Sequence, residues 1–340
     1  MAKINLLTIH WGRSYGAIFQ TYATAKLLEE SGHKVTVVNL LHPRLKYYFL
    51  RLRAWFYLIM DLQFAIFKTR YFTKLTKRMY GFSANKIPFA DYIVIGSDQV
   101  WNKDITSPMD LHYYIDFNDN IKKVSLASSF GKSEWTEDDK YTNHIKSLLH
   151  KFDAISVREE TGQKILKNNF EVNSTLLIDP TLAYANFDNL VLNNKNKNQI
   201  FTFLFSSSEQ SKQIVNAISK EKSLPVFKFN KFTFYLQNGP RHWLTRIKNS
   251  QIVITDSFHG LAFSLIFQKE FFVLCADKKK FTRLESLLKL LGLEHRFVES
   301  LDDYNERKAQ LELPIDYENV YALLSVEQKR YKDFIKNNIS

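Results

Sequence analysis

A single cysteine, Cys275, leaves this 340-residue chain no means of closing an internal disulfide. Its apolar surroundings, Phe271-Phe272-Val273-Leu274, predict a buried strand position rather than a catalytic thiol. No stretch approaches the roughly 20 uninterrupted apolar residues that a spanning helix needs. The segment Met1-Ala2-Lys3-Ile4-Asn5-Leu6 runs directly into a strand-like pattern without the apolar core and cleavage site of a secretory signal, which predicts a cytoplasmic protein. Cysteine pairs, an HExxH motif, carboxylates at metal-binding spacing and a P-loop lysine are all missing, so neither a metal nor a cofactor is expected. No GxSxG elbow occurs either, and the serine nearest in sequence to His259 is Ser257 in the same turn, which counts against Ser-His-Asp hydrolysis.

What is present is ordinary apolar content, 45%, with moderate charge, as in a folded globular chain. The length suggests two cores. Lys and Arg exceed Asp and Glu by a formal +12, which predicts attraction to an anionic partner: a phosphate-bearing substrate, acidic lipid or nucleic acid. No recognised nucleic-acid module accompanies the charge, which sets nucleic acid aside. The 28 Phe and 17 Tyr are read mainly as core packing.

Along the chain, the β-type run Lys3 to Ile9 is followed by a turn, Trp11 to Gly16, then a helix carrying Ile18, Tyr22, Ala25 and Leu28, and the strand Val35 to Val38. This is a βαβ unit whose turn, including Gly16, either receives an anion at the helix N-terminus or is a tight connection without a ligand. Further strands are expected at Tyr92–Ile95, Val124–Ala127, Ala154–Val157 and Leu176–Ile178, then, beyond a polar linker at 191–198, at Ile200–Phe205, Val226–Phe229, Ile252–Ile254 and Phe271–Leu274. Strands alternating with helices predict an α/β fold with two Rossmann-like domains facing across a cleft. Residues 1–190 are expected to form the N-terminal domain on the acceptor side, 198–315 the C-terminal domain on the donor side, and 316–340 a closing helix. Residues 43–80 break the rhythm. They carry nine Lys or Arg, one acid, Asp61, and many aromatics. Such a segment either packs on the first domain with a solvated basic face or lies on an anionic membrane surface.

Three strand ends carry candidate chemistry. In Thr255-Asp256-Ser257-Phe258-His259-Gly260 an apolar strand turns into an apolar helix. His259 there can exchange protons near neutral pH beside backbone N–H groups that receive a phosphate or carboxylate, or it can simply cap the helix through its ring. In Ser156-Val157-Arg158-Glu159-Glu160, Arg158 offers a planar fork for an anion or pairs with Glu159, Glu160 or Asp153. In Gly96-Ser97-Asp98-Gln99-Val100-Trp101-Asn102, Gly96 and Ser97 allow close backbone approach, and Asp98 serves as a proton acceptor, a sugar-hydroxyl partner or a plain turn residue.

Taken in order, GSDQVWN at 96–102, SVREETG at 156–162, DPT at 179–181 and TDSFHG at 255–260 resemble the polysaccharide pyruvyl transferase family, as does the opening from Tyr15 to Val35. The resemblance implies a glycosyltransferase-B-like fold and transfer of the enolpyruvyl unit of phosphoenolpyruvate to a sugar diol of a surface polysaccharide or its lipid-linked precursor. It also implies His259 as the catalytic histidine and Arg158 as the anion-binding arginine; Asp98 is counted as catalytic with them from its place in the Gly96–Asn102 turn. Asp256, Ser257 and Gly260 then belong to the donor side, and Gly16, Gly96, Ser97 and Gln99 to the acceptor side or its loops. Many members carry an arginine where this chain has Ser257, so the missing charge is expected from Arg283, Arg241 or His242. Two rivals stand beside this reading: a nucleotide-sugar glycosyltransferase of the same architecture, and a non-catalytic carbohydrate-binding protein.

Overall fold

The computed structural model describes residues 1–45, 57–193, 195–205, 208–228, 236–274 and 278–340. Two compact units share them, residues 1–184 with 327–340, and residues 185–326. Cys275 and residues 46–56 of the basic segment lie outside the described residues.

The first unit is built on a six-stranded parallel sheet in the order β2-β1-β5-β6-β7-β8. Its strands are β1 (Lys3–Leu7), β2 (Lys34–Val37), β5 (Tyr92–Ile95), β6 (Lys122–Ser128), β7 (Ala154–Val157) and β8 (Thr175–Leu176). Helices cover both faces, so β5 is buried at all four positions and reads as a continuous apolar run. The helix Tyr15–Glu30 is itself almost wholly buried. Its start is set by Ser14, whose side chain accepts from the amide of Ala17, so Gly16 lies in the first helical turn instead of in the preceding loop. A core of Trp101, Tyr113, Tyr114 and Phe130 packs against this sheet, and the indole N–H of Trp101 donates to the carbonyl of Tyr113 at 3.0 Å.

Part of the basic segment is a small extension of this unit. β3 (Leu40–Leu41) pairs in parallel with β4 (Met79–Tyr80), and between them runs the helix Leu58–Tyr71. That helix lays Met60, Phe64 and Phe67 inward, with Phe64 5.4 Å from the ring of Tyr15 and Phe67 5.5 Å from Phe19.

The second unit holds a four-stranded parallel sheet in the order β12-β11-β10-β9, with β9 (Lys197–Phe203), β10 (Ser250–Thr255), β11 (Glu270–Leu274) and β12 (Phe297–Val298). The polar stretch expected to be a linker gives its last two residues to β9. Of the strand expected at 226–229, Val226 forms a single bridge to Ile200 of β9, and Phe229 lies outside the described residues. The core under this sheet includes Ile214, Ile218, Ile254, Phe272 and Tyr304. The closing helix Tyr317–Asn338 starts within the second unit and ends within the first.

Candidate functional site

In an open parallel sheet, a ligand crevice forms at the carboxyl ends of the strands where the strand order reverses. In the first unit that point lies between β1 and β5, since the chain leaves β1 for β2 on one side and returns to β5 on the other. Gly96, Ser97, Asp98 and Gln99 follow β5 there. Gly96 is obligatory: a Cβ on it would sit 2.8 Å from Cβ of Thr8, whose hydroxyl donates to the carbonyl of Ser97 at 2.7 Å. Asp98 adopts φ 82°, a left-handed conformation costly for a residue other than glycine. Its backbone carbonyl accepts from Ser129 and Val100, and its Oδ1 accepts from the amide of Gln99 at 2.8 Å. Gln99 is pinned in turn, accepting through Oε1 from Asn102 at 2.9 Å. Trp101 of the same segment is a core anchor.

Arg158, at the end of β7, is buried rather than at the surface, and of the pairings offered by the sequence the one with Glu159 is present. Its side chain is 2% exposed, and its Nη1 donates to Oδ2 of Asp179 at 2.9 Å, with that carboxylate fully buried. Glu159 approaches the guanidinium at 3.4 Å and Asp98 at 3.8 Å. Burial alone would lower the guanidinium pKa, but Glu159, Asp179 and Asp98 outweigh it and hold the pKa above its ordinary value. Ser97 belongs to this cluster: its hydroxyl is fully buried and accepts from Nη1 of Arg158 at 3.4 Å. Asp179 is further fixed by the amide of Thr181 at 2.9 Å and its hydroxyl at 2.7 Å. Glu159 also accepts from the hydroxyl of Ser129.

Sequence reasoning missed His10, which is fully buried just beyond β1. Its Nδ1 lies 3.1 Å from the carbonyl of Thr8 and its Nε2 3.3 Å from Oδ1 of Asn39. Burial, then the nearby Lys68 ammonium, push its pKa down to about 4. Only the short spacing from the apolar end of β1 could have pointed to it.

In the second unit the reversal lies between β9 and β10, because the chain passes from β9 to Val226 on one side and returns to β10 on the other. The crevice is laced by three bonds. The hydroxyl of Thr255 donates to the carbonyl of Phe203 at 2.7 Å and accepts from the amide of Ser257 at 3.0 Å, while Oδ1 of Asp256 accepts from the amide of Phe205 at 2.8 Å. The helix Phe258–Ile266 then starts with Ser257 as its N-cap, the Ser257 hydroxyl accepting from the amide of Gly260 at 3.4 Å. The N-cap is therefore Ser257, and His259 lies half-buried in the first turn behind it. Gly260 packs so closely on β10 that a Cβ would fall 2.2 Å from the hydroxyl of Thr255.

The three cations proposed to replace the missing arginine are placed differently. Arg283 is half-buried on the helix Lys278–Leu290 that follows β11. Arg241 donates through Nε to the carbonyl of Leu190 at 2.9 Å. His242 is largely neutral at pH 7, since burial and then the charges of Arg246 and Arg241 lower its pKa to about 4. Among the described residues, no group of three His, Cys, Asp or Glu is placed to hold a metal ion, and no helix is long and apolar enough to cross a membrane.

The architecture recurs in solved structures. The S. aureus MnaA-UDP co-structure matches with 12% identity and a TM-score of 0.51, covering 99% of this chain and 96% of that one. UDP-GlcNAc 2-epimerase from Neisseria meningitidis bound to UDP-GlcNAc matches with 10% identity and a TM-score of 0.54, covering 99% and 100%. At such identities the likeness establishes the fold, two Rossmann-like domains of the glycosyltransferase-B type. No curated protein matches the sequence. The family model for polysaccharide pyruvyl transferase matches residues 15–274, a span that takes in the helix after β1, the Asp98 turn, the Arg158 cluster and the His259 helix. That match covers well over half of the sequence, and the chain belongs to the polysaccharide pyruvyl transferase family.

Proposed function

We propose that this protein moves the pyruvyl unit of phosphoenolpyruvate onto two hydroxyls of a sugar, forming a pyruvate ketal and releasing phosphate. The observation that carries this reading is His259 in the first turn of a helix at the β9/β10 reversal, within a chain of this family. The chemistry runs in balanced steps. A proton added to C3 of the enol phosphate makes it a methyl group and leaves an oxocarbenium-like centre at C2. One sugar hydroxyl adds at C2 and loses its proton. Phosphate then departs from C2, and the second hydroxyl adds there with loss of its own proton. Such a reaction needs an acid at C3, a base for the hydroxyls and groups that meet a carboxylate and a phosphate. It needs no cofactor beyond the donor.

His259 is assigned as the acid, or as the group that steadies the departing phosphate. The amides of the first turn, with Ser257 and Gly260 shaping it, meet the donor's anionic end, and Arg283 is the cation assigned to supply charge there. Asp98 is the base, held by the amide of Gln99. Arg158 acts by holding Asp98 and Asp179 in place; gripping the donor directly would set a phosphate against three carboxylates. The acceptor is a saccharide diol of a surface polymer or its lipid-linked precursor, and the enzyme works on the cytoplasmic side.

The test is thermal stabilisation and phosphate release with phosphoenolpyruvate and a panel of saccharide acceptors, compared with nucleotide sugars, for wild type and His259→Asn. Stabilisation by phosphoenolpyruvate in both proteins, with phosphate release only in the wild type, supports the assignment. Stabilisation by a nucleotide sugar alone would move the protein to glycosyl transfer, and binding of saccharide without turnover of any donor would make it a carbohydrate-binding protein.

A further inference from the structure

The helix Leu58–Tyr71 is apolar on two sides, and among the described residues one side is buried and the other exposed. Met60, Phe64 and Phe67 face the aromatic rings of the first unit. On the opposite side Leu58, Leu62 and Ile66, four residues apart, form a stripe along the helix with Ile59 beside them. They are 42, 56, 51 and 41% exposed. Of the 13 large apolar residues exposed among the described ones, four therefore lie on this single 14-residue helix, which is a patch and not a scatter.

Every charged residue that is exposed between positions 57 and 80 is basic. Arg70 continues the stripe by one more step of four, and Lys74, Lys77 and Arg78 follow it, all exposed. Arg78 is close enough to the helix that its charge, second to burial, lowers the pKa of Lys68 to about 8. The helix has one acid, Asp61, and it is neutralised by a two-point pair with Arg13 at 2.7 and 2.9 Å. A protein partner for such a face would have to be both apolar and acidic. A bilayer offers those two properties in layers, with phosphates at the level of the basic side chains and acyl chains beneath.

We infer that the exposed face of the helix Leu58–Tyr71 docks the protein on an anionic phospholipid bilayer, with Leu58, Ile59, Leu62 and Ile66 entering the interface and Arg70, Lys74, Lys77 and Arg78 contacting lipid phosphates. The docking stands apart from the transfer chemistry: it uses no residue of either strand-order reversal. It gives a lipid-linked acceptor a reason to meet the enzyme at the membrane surface.

The full chain is to be sedimented with vesicles of phosphatidylcholine alone and of equal phosphatidylcholine and phosphatidylglycerol, at low and high salt. Wild type is expected to pellet with the anionic vesicles, weakly with the neutral ones, and less at high salt. The pair Leu62→Gln/Ile66→Gln is expected to lower partition by about tenfold or more with an unchanged unfolding midpoint, because both side chains are exposed. Arg70→Glu/Lys74→Glu should weaken binding to anionic vesicles alone. As a check independent of stability, Leu62→Trp should shift its emission to shorter wavelength on adding anionic vesicles. The inference is overturned if wild type stays in the supernatant, if the glutamine pair binds as wild type does, or if wild type is a dimer that this pair converts to a monomer without any vesicle binding.

Discussion

At the scale of single residues, the centre of the first unit is an arginine whose work is electrostatic support. Asp179 is fully buried, and its charge is tolerable only with Arg158 beside it. Arg158→Ala is therefore expected to destabilise the first unit by about 3–5 kcal/mol, since it strands a buried carboxylate. Adding Asp179→Asn should return much of that loss, and urea unfolding of both variants checks it. The same substitution makes a poor probe of donor binding, because a lost ligand response would be mixed with lost stability. His10 sets a second expectation. Its folded pKa, about 4, lies below the 6.5 of the unfolded chain. Between those values the unfolded state holds a proton that the folded state does not, so stability must fall as pH drops from about 6.5 to 4, by about 3 kcal/mol at most for this group. His242 acts in the same sense in the second unit. Urea midpoints at pH 7 and pH 5 should differ accordingly, and His10→Gln should narrow the gap; an unchanged gap would remove His10 as its source. The identities of Asp98, Arg158 and His259 as polar residues at strand ends were legible in the sequence. What surrounds them was not, because Asp98 and Asp179 reach Arg158 from distant strands, and only the parallel order of β5, β6, β7 and β8 brings them together.

At the scale of elements, the strands were legible because a parallel sheet covered on both faces needs uninterrupted apolar runs, as in Tyr92-Ile93-Val94-Ile95. Edges were less so. Val226-Phe227-Lys228 carries the residue types of a strand, yet among these described residues only Val226 forms a bridge, to Ile200 of β9. The helix Leu58–Tyr71 was ambiguous for another reason: hydrophobic residues occupy both its faces, so no periodicity tells which is inside. Close packing of the His259 helix on β10 leads to a sharper expectation. Thr255 is held by hydrogen bonds on both sides and cannot turn away from a new methyl group at position 260. Gly260→Ala should cost about 1–3 kcal/mol through overpacking and distort the first turn. Gly292→Ala is the control, with φ 66° and open space around it, and should cost about 1 kcal/mol through backbone conformation alone. Equal effects in thermal unfolding would mean that the Thr255 contact is not limiting. The end of the closing helix belongs to the first unit, and there Ile335 is fully buried. Ile335→Ala should cost about 2–5 kcal/mol, read as lost amide protection across the first sheet.

At the scale of the whole molecule, the chain repeats one device. A parallel sheet reverses its strand order, and polar residues gather at that point: Gly96 to Gln99 after β5, and Asp256 to Gly260 after β10. The fold is shared with the S. aureus MnaA and N. meningitidis UDP-GlcNAc 2-epimerase structures at 10–12% identity, and a shared fold does not by itself decide which ligand the turns receive. The two reversals lead to separate expectations for the two units. If the anionic donor is received by the first turn of the His259 helix, phosphoenolpyruvate should slow hydrogen exchange at Phe258 to Phe263 in the second unit and leave the amides of β5 and β7 in the first unchanged. His259→Asn should keep that protection, because the backbone N–H groups remain, while abolishing phosphate release. Protection centred on Asp98 and Arg158 instead would place the donor at the first reversal, reverse the assignment of donor and acceptor sides, and require the pairing of Arg158 with Asp179 to open on binding.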